Sequence, residues 1–546
     1  MGKSNKKWFF AIILLLSMIL AACAGDGSGS DKDSKSKDNT NDNKDKAEEK
    51  GTGEPIEGGD LVIAAHSDAS TMDPAGSNDV PSSNIQFNIF ENLVKRDADN
   101  NLIPSLAEEW EAIDETTYEF KLREGVKFHD GEIFNADAVK ASLDRILDPK
   151  VASSKYNTFE MISNVEVVDD YTVRITTEYP FSPIITHLTH GGGAIISPKS
   201  IEADYAAMEK GEDAGSVISQ NPVGTGYFKF ESWAPGSEVK LVRNEEYWDK
   251  LAHVDTVTFK IVPESGTRKA DLERGFAQVI EHVQPNEVAV INDSDHAKII
   301  QTPSTALTFI GFNLNKPPFD DVKVRRAVSM MVNKQEVIDG VYDGFAIPAE
   351  GPLAPKSFGY SPDLKGIEYD VEEAKKLMKE AGYEDGFKAS IWTNDNPQRI
   401  DIAVLLQDTL KELNIEITVE QMEFGAYLEK LRAGEHNMFM LSWSNSLADG
   451  DNGLFSLFHS SVKGVPPNAT WYGSPVVDDL LDGGRHESDP DKRAQIYKEA
   501  QEELVKDAPL IFLNHPEYLT GVSNSITGFS VDTSNILHLR DVQFVK

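Results

Sequence analysis

From about residue 307 onward the chain alternates helix-patterned and strand-patterned segments, and this rhythm restricts the fold more than any other feature. Apolar residues at helical spacing predict helices over 323–342, 371–381 and 399–413, with a last long one over 490–506. Between them 389–392, 416–420 and 438–443 read as short buried strands, the pattern of an α/β domain. The earlier part has a different texture. A buried-type strand over 61–65 precedes a helix over 83–93 that carries Ile85, Ile89, Phe90 and Leu93. The segments 117–122 and 171–175 alternate apolar and polar as hairpin strands do, and further strands fall at 238–242 and 257–262. Asn135 caps a predicted helix over 136–147 with Val139, Leu143, Ile146 and Leu147 on one face. The tail, 510–513 and from 529 on, reads as extended. At 546 residues, without an internal repeat, the chain suggests two or three domains.

The first 23 residues carry a separate message. Lys3, Lys6 and Lys7 precede an apolar run from Trp8 to Leu20, broken only by Ser17. A helix of that length spans about 20 Å, short of a bilayer core of about 30 Å, so the segment 1–22 reads as a cleaved export signal. Leu20-Ala21-Ala22 leads into Cys23, the only cysteine in the chain. This resembles the lipobox of bacterial lipoproteins, where the thiol is acylated and becomes the new N-terminus. With one cysteine no intramolecular disulfide can form, although export would permit one. Residues 23–57 are Gly, Ser, Asp, Lys, Asn and Glu with almost nothing to bury, which reads as a flexible tether. About 34 such residues reach roughly 30 Å.

A formal net charge of −37 argues against nucleic acid as a partner, because phosphate binding needs clustered Lys and Arg. Acidity of this degree is otherwise accounted for by solubility outside the cell.

Three blocks then identify a family. Leu106-Ala107-Glu108-Glu109-Trp110 with Tyr118-Glu119-Phe120-Lys121-Leu122-Arg123-Glu124-Gly125-Val126-Lys127-Phe128-His129-Asp130-Gly131 forms the first. Asn221-Pro222-Val223-Gly224-Thr225-Gly226-Tyr227-Phe228, followed by Asn244 and Trp248, forms the second. Phe312-Asn313-Leu314-Asn315 with Phe319-Asp320-Asp321-Val322-Lys323-Val324-Arg325-Arg326-Ala327 forms the third. In this order they resemble the solute-binding proteins of peptide ABC transporters, the oligopeptide/dipeptide/nickel-binding family 5. The resemblance implies an α/β two-lobe periplasmic-binding-protein fold (class II, cluster C) with an extra inserted subdomain. Lobe I would be 58–96, 223–305 and 516–546, the insert 97–222, and lobe II 306–515. It implies a receptor that closes around a peptide and delivers it to ABC permease subunits, with no catalysis and no cofactor, acting as a monomer. Cys23 would hold it on the outer face of a Gram-positive-type membrane, or in the periplasm of a Gram-negative cell.

A buried peptide needs a carboxylate for its ammonium, a cationic site for its carboxylate, and polar partners for its amides. In the family the ammonium partner is commonly an Asp three residues after a strand-end Trp. Here Trp443 is followed by Ser444, Asn445 and Ser446, so a serine stands at that position. Asp449 and Asp451 are the next carboxylates, with a helix-capping turn as the alternative for each. The Trp-Ser-x-Ser form, with Pro466-Pro467 and Trp471-Tyr472 downstream, is similar to the glutathione-binding branch. Some dipeptide binders place an Arg after the preceding strand; Asn394 occupies that position, and Arg399 reads as a structural residue opening the next helix. Trp392 and Trp443 end strands on the expected cleft side. The ligand set expected is therefore Trp392, Asn394, Trp443, Ser444, Asn445, Ser446, Asp449 and Asp451.

His187-x-x-His190 before Gly191-Gly192-Gly193 reads as a loop, since two histidines without a third ligand make a weak metal site. Gly224-Thr225-Gly226 reads as a structural turn, and Arg325-Arg326 as surface or inter-lobe pairs. The competing readings are the same scaffold binding glutathione, a nickel chelate, haem or a sugar, and, from another class, a secreted hydrolase using Asp449 and Asp451. Neither a Gly-x-Ser-x-Gly elbow nor a His-Glu-x-x-His motif supports the hydrolase.

Overall fold

The structure is a computed structural model that describes residues 53–546. The expected export signal, Cys23 and most of the expected tether lie outside the described residues. The end of that tether is folded. Pro55–Ile56 is a strand paired antiparallel with Phe544 and Val545, so regular structure begins before residue 58. The C-terminal strand supplies the backbone partners that a free polar segment lacks.

One sheet runs through the middle of the molecule. Along its main path the order is Glu416–Gln421, Lys388–Thr393, Met438–Ser444, Ala306–Phe312, Leu510–Ser523, Val279–Ile280, Asp60–Ala65, Thr256–Ile261, Glu238–Arg243 and Phe228–Ala234. The 14-residue strand Leu510–Ser523 belongs to both halves of this path. Its first residues pair with Ala306–Phe312 and its last with Ala297–Pro303 and Val279–Ile280. The chain therefore crosses between two lobes at residues 303–306 and again within the shared strand at 514–517. Lys388–Thr393 runs parallel to Glu416–Gln421 and to Met438–Ser444. Their carboxyl ends lie together at one edge, where open α/β sheets place their ligands.

A second sheet, of Ala107–Ala112, Thr117–Leu122, Thr172–Thr177 and Ile162–Asp169, is antiparallel throughout. The helix Ala136–Leu147 lies in the same core, burying Val139, Leu143 and Ile146, while Asn135 accepts a hydrogen bond from the Ala138 amide. This subdomain is fixed to the first lobe by a buried ion triad. Arg145 donates to both Asp73 oxygens at 3.0 and 2.8 Å and to Asp204 Oδ2 at 2.9 Å. Gly215, at φ +81°, sits where a side chain would strike the Asp73 carboxylate. Gly226 approaches the end of the helix Val80–Ile89 and donates to the Ile89 carbonyl at 2.9 Å, so the Gly224-Thr225-Gly226 turn is a backbone-packing device.

Two expectations change. The single helix expected over 323–342 is two, Val322–Met330 and Lys334–Val341. Asn333 breaks it, because its side chain caps the second helix by accepting from the Gln335 and Glu336 amides. Arg325 is neither a surface nor an inter-lobe residue. It is buried and donates to the carbonyls of Phe319, Asp320, Asp507 and Ala508, tying two helices of one lobe together.

Candidate functional site

The strand ends of the second lobe meet the first lobe along a polar seam. Trp392 is buried, with its indole nitrogen sealed and unpartnered. Trp443 is half-buried and its indole donates to the Asn452 carbonyl at 2.9 Å. Ser444 is exposed at the end of its strand. Asn445 is buried and positions the loop: its carbonyl accepts from Thr305 at 2.8 Å, and its amide donates to Ser357 at 3.3 Å. The Ser446 carbonyl accepts from Arg96 at 2.8 Å and from Ser534 at 3.0 Å, both from the first lobe. Asn394 accepts from Arg399 at 2.9 Å.

The two aspartates are placed differently from the expectation of a free ammonium partner. Asp449 caps the helix Gly450–Phe458 and is buried rather than solvated. Arg493, from the helix Pro490–Asp507, grips it with two hydrogen bonds of 2.9 and 2.6 Å. Asp451 is buried against Arg485 at 2.6 Å, with His187 of the inserted subdomain 3.7 Å from its other oxygen. Burial works against its ionisation, but Arg485 and His187 outweigh it and hold the carboxyl well below the usual carboxylate range. Both carboxylates are thus paired with guanidinium groups of their own lobe.

Two other buried cations differ in their surroundings: Arg96 has Asp532 and Asp449 as acidic neighbours, and Arg399 has none. Arg399 makes one side-chain hydrogen bond, to Asn394, and burial pushes its pKa down. Arg96 uses Nη2 to cross the seam while its Nη1 is sealed without a partner. It lines a cavity of about 620 Å³ on the first-lobe side of the seam. Phe87, Phe90 and Tyr247 form its apolar wall, Asp532 and Thr533 come from the C-terminal tail, and Lys356 from the second lobe. None of the eight residues expected to bind ligand lines this cavity. Glu91 stands in its wall, accepting from Thr225, Tyr247 and Trp248 at 2.8 Å each, and burial nonetheless pushes its pKa up. Three residues around the second sequence block thus serve one buried carboxylate. Arg96 carried no local signal, because its partner Ser446 lies 350 residues away and only the fold joins them.

The residues 101–465 match the family of bacterial extracellular solute-binding proteins, family 5. The chain belongs to this family. Among its relatives, the glutathione-binding protein GsiB of Pectobacterium atrosepticum is 34% identical over 498 residues, covering 89% of this chain and 94% of that one. Among solved structures, DppA of Helicobacter pylori in complex with the peptide STSA matches with a TM-score of 0.76 at 31% identity, over 90% of this chain and 99% of that one. HbpA2 of Haemophilus parasuis matches with a TM-score of 0.81 at 27% identity, over 89% of this chain and all of that one. As a family 5 protein the chain has the expected two-lobe α/β architecture. In the His187-x-x-His190 motif both rings bond to nearby backbone. His190 accepts from the Gly192 amide at 3.2 Å and caps the short turn Gly191–Gly193, and His187 donates to the Thr158 carbonyl at 2.7 Å. No group of three or more metal-ligating side chains occurs among the described residues, and no helix among them is long and apolar enough to cross a membrane.

Proposed function

We propose that this protein captures a peptide between its two lobes and delivers it to the permease of an ABC importer, held at the membrane face by a lipid on Cys23. The observation that carries this reading is the architecture itself. Two lobes are joined at two crossings of one sheet, and elsewhere hydrogen bonds such as that from Arg96 to the Ser446 carbonyl link them. A ligand with differential affinity for the closed arrangement shifts the population toward it. In this reading Trp392, Asn394, Trp443, Ser444, Asn445 and Ser446 form the second-lobe wall, while 97–222 is the insert and 306–515 the distal lobe. Asp449 and Asp451 serve the wall through Arg493 and Arg485.

Glutathione is the favoured peptide. The relatives named as glutathione-binding support it, and so does Arg399, a buried cation without an acidic partner that suits a ligand carboxylate. The test is mass spectrometry of solute released from the purified protein by mild denaturation, with tryptophan fluorescence titrations against glutathione, di-, tri- and pentapeptides and nickel chelates. A released peptide that rebinds with micromolar or tighter affinity is expected (about −8 kcal/mol). Binding of nickel chelates alone, or hydrolysis of a bound peptide over hours, would overturn the reading.

A further inference from the structure

His187 ends the short helix Ile184–His187 and is buried at the seam, facing the second lobe. Its Nδ1 lies 2.7 Å from the Thr158 carbonyl oxygen. A carbonyl only accepts, so Nδ1 carries its hydrogen in either protonation state. In the neutral ring Nε2 is then a bare lone pair. That nitrogen is sealed from solvent, has no hydrogen-bond partner, and lies 3.7 Å from Asp451 Oδ2. Two acceptors therefore face each other across the seam while the ring is neutral. One proton on Nε2 turns the contact into an ion pair within a region of low dielectric.

The surrounding charges are few. From the second lobe, Arg485 holds the other Asp451 oxygen at 2.6 Å and reaches Oδ2 itself at 3.4 Å, with the Asp449–Arg493 pair behind it. Arg485 also receives the Ser182 amide on its carbonyl at 2.8 Å and lies over the Phe181 ring, which itself packs edge-on against His187. From the inserted subdomain His190 stands next to His187, and His190 in turn feels Lys155 and, from the first lobe, Arg96. Burial keeps His190 in its neutral form and pushes the Lys155 ammonium down to about 8. Tyr179, beside Arg485 and Asp451, stays neutral because burial raises its pKa.

His187 and Asp451 belong to opposite sides of the seam, so their contact exists only when the lobes are together. We infer that they form a proton-linked latch: closure takes up a proton on His187 Nε2, and acidification of the medium populates the closed form. This rests on the lobes opening and closing, as the receptor reading requires, but not on the identity of the solute.

The test is small-angle X-ray scattering of the solute-free protein from about pH 8 to about pH 5.5. In the wild type the open-to-closed ratio should fall at least about threefold over that interval, and it should stay flat in His187→Gln and Asp451→Asn. Exchange of the imidazole C2 hydrogen, read by mass spectrometry in the unaltered protein, should place the titration of His187 at the midpoint of that compaction. A wild-type curve without compaction, a His187→Gln curve identical to it, or a His187 midpoint elsewhere would each overturn the latch. Scattering needs no solute, so a protein that compacts with acid yet binds no peptide would refute the receptor reading alone.

Discussion

Two buried clusters in this molecule share one chemistry and differ in what they join. Asp73, Arg145 and Asp204 tie the inserted subdomain to the first lobe, with every side chain at most 3% exposed. Asp451, Arg485 and His187 link the same subdomain to the second lobe, and Arg485 keeps 18% of its side-chain surface. In the first cluster each carboxylate is also anchored by backbone amides: Ala75 on Asp73, Gly215 and Val217 on Asp204. In the second, Asp451 depends on a guanidinium from its own lobe and an imidazole from across the seam. The first is a weld, because no lobe movement brings water to it. The second can be relieved by opening. An unpaired buried charge costs several kcal/mol where it is trapped, but far less where the molecule can rehydrate it.

The contrast is sharpest if the weld is cut. Arg145→Met strands two buried carboxylates, and a loss of about 3–5 kcal/mol in urea unfolding is expected, with solute affinity unchanged in the protein that remains folded. Asp449→Ala leaves Arg493 buried and uncompensated within the second lobe and removes a helix cap. It should cost about 3 kcal/mol by the same measurement. Arg485→Met reverses the pattern. Unfolding free energy should fall by only about 1–2 kcal/mol, while scattering shows a more open ensemble; a loss as large as that of Arg145→Met would erase the distinction between weld and latch.

Lys155 gives a pH dependence of known sign. Its ammonium is buried and its pKa is pushed down to about 8, below an unfolded value of about 10.4. Between those values the unfolded chain binds more protons, so stability rises with pH. Lys155→Met should abolish that rise in urea midpoints and be the more stable protein at neutral pH. A wild-type midpoint that falls over this interval would contradict the burial of the charged group.

Much of the second lobe and part of the inserted subdomain were legible because their signals are local. Strands 388–393, 416–421 and 438–444 and the helix Ala136–Leu147 with its Asn135 cap follow from periodicity and capping alone. Asn333 was legible in principle, as a capping residue within a helical pattern, yet an uninterrupted apolar period concealed it. That Trp392 and Trp443 lie at strand ends follows from the same periodicity. The aspartates could not be interpreted, since Arg485 and Arg493 reach Asp451 and Asp449 from 34 and 44 residues away.

By itself the sequence determined the α/β class, the order of the family blocks, and the positions of most helices and strands. These depend on backbone periodicity, capping and turn chemistry, which act over a few residues. Only the tertiary structure decided which charges are spent and which are free. Electrostatic pairing acts through space, across separations that neither spacing nor composition records. Asp449 and Asp451 are already paired with guanidinium groups, Arg399 has no acidic partner, and a histidine that read as part of a loop faces a carboxylate across the seam where the lobes meet.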